Sequence, residues 1–143
     1  SGGYDNISTL EERQGFEIDF SFKPSNSFQG MISYSRTSDE NGDQVSRVLL
    51  NQLTANINYA FNNSINTSLE LKRVSDLKDG NNDLPDYDLV NTKINYSIGN
   101  SNLSINDLNV YFKIVNLLNE EYQLVKNYGT SDRAFYFGIE SSF

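Results

Sequence analysis

Two residue types that dominate enzyme and metal chemistry are missing from this sequence, which holds no cysteine and no histidine. Their absence removes disulfides, catalytic thiols, zinc sites built from either group and haem ligated by them. It also removes imidazole as a general base, and with it the Ser-His mechanisms. What remains for chemistry is carboxylate, ammonium, guanidinium and phenol. Paired carboxylates can do acid–base work, and clusters of oxygen ligands can hold hard cations. Acidic residues gather most densely at 76–88, where Asp76, Asp79, Asp83, Asp86 and Asp88 stand against Lys78. Asp76-Leu77-Lys78-Asp79-Gly80-Asn81 has carboxylates and a glycine turn, as calcium loops do. It lacks the regular spacing and closing Glu of an EF-hand. A solvated loop is therefore expected, with no metal and no cofactor. Asp39, Glu40 and Asp43 read the same way.

The elements that position these groups follow from composition and pattern. The chain has 143 residues, enough for one domain or a piece of one. It carries 11 basic and 19 acidic side chains, a net charge of −8. That balance excludes a nucleic-acid surface, which needs a basic stripe to displace phosphate counterions. Hydrophobic residues make up 37% and mean hydropathy is −0.54, lean for a globule that must fill its own core. The 13% of aromatic residues, spread along the chain, argue against disorder. No apolar stretch approaches 18 residues, so no membrane helix is expected. Ser1-Gly2-Gly3-Tyr4-Asp5 lacks the charged head and apolar run of a signal peptide.

The dominant pattern is alternation of period two. Phe16, Ile18, Phe20 and Phe22 alternate with Glu17, Asp19, Ser21 and Lys23. Successive strand side chains point to opposite faces, so one face is apolar and the other polar. The same alternation recurs from Phe28 to Tyr34, Leu53 to Phe61, Ile65 to Leu71, Val90 to Ile98, Leu108 to Ile114 and Phe135 to Phe143. Seven strands are thus predicted, with a bulge or extended turn near Asn106-Asp107 where the parity slips. Helix is nearly excluded; only Val45 to Gln52 leaves a turn of helix open as an alternative to the start of a strand.

The connections alternate in length, short near 24–27, 62–64 and 99–106, long and polar near 37–51, 75–87 and 117–133. In an up-and-down sheet this sorts tight turns to one end and long loops to the other. Transmembrane β-barrels have that asymmetry. Parity alone cannot separate a greasy interior from a greasy exterior. The charged polar face and the aromatics near strand ends favour the membrane barrel, whose interfaces carry aromatic girdles. Phe22, Phe28, Phe61, Tyr96 and Phe143 fall at the short-turn end, and Phe16, Tyr34 and Phe135 toward the other. A soluble lipid-binding barrel is the more distant alternative.

The final stretch carries a resemblance. Asn116-Leu117-Leu118-Asn119-Glu120-Glu121-Tyr122, then Asn127-Tyr128-Gly129, then Arg133-Ala134-Phe135-Tyr136-Phe137-Gly138 and Phe143, resembles the C-terminal end of TonB-dependent outer-membrane receptors. Leu118 and Asn119 stand where that family usually has Phe and Asp, and Ser141 where an aromatic is common. Gly15-Phe16-Glu17-Ile18 resembles a strand opening of the same family, and Leu84-Pro85-Asp86-Tyr87-Asp88-Leu89-Val90 resembles the segment that leads into one of its late barrel strands. The resemblance implies an all-β, antiparallel, up-and-down transmembrane segment. Residues 1–143 would be about seven strands of a barrel of about 22, without the plug domain. It implies a bacterial outer-membrane location and a role in active uptake, not catalysis. The nutrient would be scarce and bulky: a ferric siderophore, haem, cobalamin or a glycan. The implied partners are outer-membrane lipid, the rest of the barrel and its plug, TonB acting through that plug, and the transported small molecule. The alternative is a small eight-stranded outer-membrane structural or adhesion barrel, which an eighth strand within residues 1–14 would favour.

Candidate ligand residues lie in the long loops: Asp79, Asp83, Tyr122, Tyr128 and Arg133. Arg133 could clamp a substrate carboxylate, although pinning its loop above the rim is the favoured reading. Glu17, Asp19, Glu70, Lys72, Lys93, Lys113 and Glu140 fall on the polar, lumen-facing side. They either line a substrate path or, as favoured here, pair with one another or with a plug. Nothing marks Glu17 and Asp19 as an acid–base pair. An odd strand count leaves two edges, on residues 14–23 and 134–143, that must pair with further protein.

Overall fold

A computed structural model describes residues 12–98 and 107–142. The strands are β1 (Arg13–Phe22), β2 (Phe28–Asp39), β3 (Asn51–Ala60), β4 (Ile65–Ser75), β5 (Leu77–Asp79), β6 (Asn82–Leu84), β7 (Tyr87–Ile98), β8 (Asp107–Val115) and β9 (Ala134–Ser142). Seven of them form one antiparallel sheet in the order β1-β2-β3-β4-β7-β8-β9, and β5 and β6 make a separate hairpin. No helix forms among the described residues. From Val45 the chain stays irregular until β3 opens at Asn51, and Arg47 takes φ 61°. The expected bulge near Asn106-Asp107, the turn at 99–106 and Phe143 lie outside the described residues or at their boundary.

Register makes the alternation a sheet property. Phe20 lies opposite Ile32, Ile32 opposite Ala55, Ala55 opposite Leu71, and Leu71 opposite Val90. Farther along, Ile94 lies opposite Phe112, and Phe112 opposite Phe137. Directly opposed residues share a face, so the apolar residues of all seven strands form one surface. That surface is uncovered: Phe20 is 63% exposed and Phe137 68%. At the short-turn end Phe20, Phe22, Phe28, Tyr59 and Phe61 form a run of ring contacts, with centroids 4.8–6.4 Å apart. Phe16 meets Tyr34 nearer the other end, at 5.8 Å.

The short turns have local chemistry. Asn62 Oδ1 accepts from the amides of Ser64 and Ile65, both at 2.8 Å, which closes the turn between β3 and β4. The long connections run over 40–50, 76–86 and 116–133 and emerge together at the opposite end, as the alternating lengths predict. The first two are shorter than their polar sequence implied, since β2 persists to Asp39 and β4 to Ser75, whereas the third begins one residue earlier than expected; the β5–β6 hairpin occupies most of 76–86.

The compact apolar core sits at the loop end of the sheet, where the β5–β6 hairpin covers the ends of β4 and β7. Val74, Leu77, Leu84 and Tyr87 are buried, with Leu49, Leu89 and Tyr122 packed against them. Val74 and Tyr87 are register partners at the rim, and the hairpin folds Leu77 and Leu84 over them. Among the described residues the sheet is not closed, and β1 and β9 each pair on one side only.

Candidate functional site

Two regions gather the polar groups: a crown of loops at one end of the sheet and the polar face of the sheet itself. In the crown, Gly80 at φ 61° turns the chain between β5 and β6 and leaves the Asp79 carboxylate facing two other loops. Its Oδ1 accepts from Arg47 Nε at 2.7 Å, and its Oδ2 from the Lys126 amide at 3.0 Å. The Arg47 amide donates to the Lys78 carbonyl at 2.8 Å, and the Gly80 amide to Ser46 Oγ at 2.8 Å. Hydrogen bonding from Arg47, and then from the Lys126 amide, holds the Asp79 carboxyl below its ordinary range. One carboxylate thus ties three loops together.

The other acidic side chains are taken up separately. Asp76 Oδ2 accepts from Asn51 Nδ2 at 2.6 Å, while Arg73 lies 2.9 Å from Asp88 and 3.6 Å from Asp86. Asp39 Oδ1 accepts from the amides of Asn41 and Asp43, closing its own turn. No group of three or more carboxylates able to hold a metal occurs among the described residues.

The remaining loop candidates divide. Tyr122 is packed, its ring 4.5 Å from that of Tyr87, and its carbonyl accepts from Thr130 Oγ1. Tyr128 is 72% exposed beside a one-residue bridge to Val125. Asp83 is exposed, 3.8 Å from Lys78. Arg133 is exposed, and its amide donates to Asn119 Oδ1 at 3.0 Å. The structure therefore gathers Asp79 and Tyr122 into the crown's framework and leaves Asp83, Tyr128 and Arg133 at its surface.

Sequence reasoning passed over the residue that organises the last loop. Asn116 is buried, with φ 54°. Its Oδ1 accepts from the Glu120 amide at 2.8 Å, and its Nδ2 donates to the Glu120 carbonyl at 2.9 Å. Its own amide donates to Asn91 Oδ1 at 2.9 Å. Asparagine tolerates the left-handed region and bonds to nearby backbone, so the two asparagines of Asn116-Leu117-Leu118-Asn119 were the available signal. Arg47 and Lys126 were missed as well, because their partner lies in another loop.

On the sheet, register places Glu17, Asp19, Glu70, Lys72, Lys93, Lys113 and Glu140 on the face opposite the apolar one. Lys93 lies directly opposite Lys113, and its Nζ is 3.9 Å from Glu140 Oε1. Lys93–Glu140 is the ion pair that joins two of these seven among the described residues. Tyr111 lies flat over Gly138, where any added methyl would overlap the ring. Lys93 Nζ sits 4.2 Å above the centre of that ring. The result is a two-faced sheet, apolar and uncovered on one side, charged and hydrogen-bonding on the other.

No family model of known proteins matches the chain, and no curated protein matches it.

Proposed function

We propose that this chain is the C-terminal part of the β-barrel of a TonB-dependent outer-membrane receptor, which takes up a scarce, bulky nutrient and performs no catalysis. The observation that carries the reading is the apolar face, continuous across seven strands and uncovered. In water such a surface is a large unfavourable exposure. Against hydrocarbon it is the expected exterior of a barrel wall. The ring contacts near the short turns fit an interfacial aromatic belt. The crown of loops at the opposite end fits the external side, where a receptor first meets its ligand. The resemblance of the tail motif, from Asn116 to Gly138 with Phe143, supports the family reading. The edges of β1 and β9 that are unpaired among the described residues ask for further strands, because an unpaired backbone group costs several kcal/mol in hydrocarbon.

The absence of cysteine permits a direct test with nitroxide labels on single-cysteine variants in lipid vesicles. Labels at Ile18 and Ile139 should be accessible to oxygen, and labels at Asp19 and Glu140 to a polar relaxation agent. The reverse pattern rejects the membrane reading. For the uptake role, deletion of the gene should abolish growth on one ferric siderophore, haem, cobalamin or glycan source. Unchanged growth on all four classes rejects it. A closed monomeric barrel formed by this chain, with residues 1–14 as an eighth strand, would instead select the small-barrel alternative.

A further inference from the structure

The loop between β2 and β3 holds the one Asn-Gly pair in the sequence, Asn41-Gly42. Glycine lacks the Cβ that elsewhere shields a backbone amide from the side chain before it. The pair lies in the turn that follows β2, and Asn41 is exposed. Gly42 takes φ 85°, and nothing lies within 4 Å of the place a Cβ would occupy. The Asn41 carboxamide makes no hydrogen bond among the described residues, whereas those of Asn62, Asn82 and Asn116 are engaged.

Asp39 shapes this turn. Its Oδ1 accepts from the amides of Asn41 and Asp43, at 2.9 and 2.8 Å, and its carbonyl accepts from the Gly42 amide at 3.1 Å. The last bond holds the nitrogen that neighbours the Asn41 side chain toward Asp39 instead. The Asp-Gly pair of the crown is placed differently. Arg47 and the Lys126 amide occupy the Asp79 carboxylate, and the Gly80 amide donates to Ser46 Oγ at 2.8 Å.

We propose that Asn41 is a site of self-modification and that Asp39 restrains the reaction. The Gly42 nitrogen attacks Cγ of Asn41. A C–N bond forms, the Cγ–Nδ2 bond breaks, and ammonia leaves with the proton from the Gly42 amide. The succinimide so formed takes up one water at either carbonyl and opens to aspartate or to isoaspartate. In isoaspartate the main chain runs through the former side chain and gains one carbon. The turn contacts that span it, Asp39 N to the Asp43 carbonyl at 2.9 Å and Arg36 Nη2 to the Gly42 carbonyl at 3.3 Å, then lose their geometry. Either product adds a fourth carboxylate to those of Asp39, Glu40 and Asp43. The proposal does not rest on the receptor reading, since the reaction takes place within one exposed turn.

The test ages the whole chain in detergent micelles, in mildly alkaline buffer made with oxygen-18 water, and follows residue 41 by peptide mass spectrometry. Residue 41 should lose ammonia, gain one labelled oxygen and appear as both aspartyl and isoaspartyl peptides. Gly42→Ala and Asn41→Gln should each suppress the product. Asp39→Ala should raise the rate about tenfold, the factor that a lost restraint of about 1.4 kcal/mol implies. The wild type in urea, where the turn is gone, should react at least as fast as Asp39→Ala. Comparing Gly42→Ala with the wild type in urea is independent of folding. Intact Asn41 in the aged folded chain, aspartate without isoaspartate, or a rate that Gly42→Ala does not lower overturns the proposal. An Asp39→Ala rate at or below that of the wild type overturns the restraint.

Discussion

Arg47 Nε donates to Asp79 Oδ1 at 2.7 Å across 32 residues of chain, joining the loop before β3 to the hairpin between β4 and β7. The second oxygen of Asp79 holds the Lys126 amide, so the loop before β9 joins the same carboxylate. Asp79→Ala should therefore loosen all three loops at once. Hydrogen exchange should accelerate at the amides of Arg47, Gly80 and Lys126 while the amides within β2 and β3 keep their protection. Faster exchange at Gly80 alone would mean that the loops are ordered independently.

The same carboxylate sets a pH dependence. Its pKa in the folded chain lies below the ordinary carboxylate value, with Arg47 the main cause. Its contribution is therefore complete above the unfolded pKa of about 3.9 and is lost as pH falls through the lower folded value. Exchange in the crown should be insensitive to this group between about pH 5 and 8, apart from the intrinsic base dependence of exchange. Below about pH 4 it should rise in the wild type, with Asp79→Asn showing no corresponding transition.

Asn116 offers a stability test. Asn116→Ala removes two side-chain hydrogen bonds to Glu120 and places alanine at φ 54°. The expected loss is about 2–4 kcal/mol from the bonds and the strained backbone together. Asn116→Gly relieves the backbone without restoring the bonds, so it should fall between the wild type and alanine. Urea unfolding followed by tyrosine fluorescence measures both, and an alanine variant as stable as the wild type would remove Asn116 from the account.

Gly138 and Tyr111 form a size-matched pair across β8 and β9. Gly138→Ala should destabilise by about 1–3 kcal/mol through overpacking. Tyr111→Ala in the same chain should recover much of that loss, since it removes the ring the methyl displaces. Additive losses in the double variant would show that the two sites are not coupled.

Charge placement tests the two faces. Ile139→Arg should cost about 2–4 kcal/mol in a bilayer if its side chain meets hydrocarbon near mid-depth, while Asp19→Arg should change little. Equal effects of the two substitutions in lipid vesicles would contradict the assignment of faces.

The sheet was legible in the sequence because its pattern is local. Phe16, Ile18, Phe20 and Phe22 reveal their shared face through spacing alone, and the register then joins seven such rows. The crown was less legible. Five aspartates drew attention to charge over 76–88, whereas the structural signal was Leu77 and Leu84 flanking Asp79-Gly80-Asn81-Asn82, a turn-forming run between two apolar residues. The convergence of Arg47, Lys126 and Asp79 left no trace in spacing, because three separate loops bring them together. Of the loop candidates, Asp79 and Tyr122 were chosen for binding chemistry, and the structure uses both as framework.

The strand order has a consequence for how the sheet assembles. Every strand of the main sheet pairs with its neighbour in sequence, apart from the step from β4 to β7, where the β5–β6 hairpin intervenes. The chain can therefore zip up one hairpin at a time, and even the longer connections at 40–50 and 116–133 add little, because closure entropy grows slowly with loop length. The step over the intervening hairpin is shortened when β5 and β6 pair first, because they draw Ser75 and Tyr87 together before their strands meet. On this account the crown acts during folding as the splint that aligns β4 with β7, so weakening the Leu77–Leu84 contact should slow folding more than it speeds unfolding.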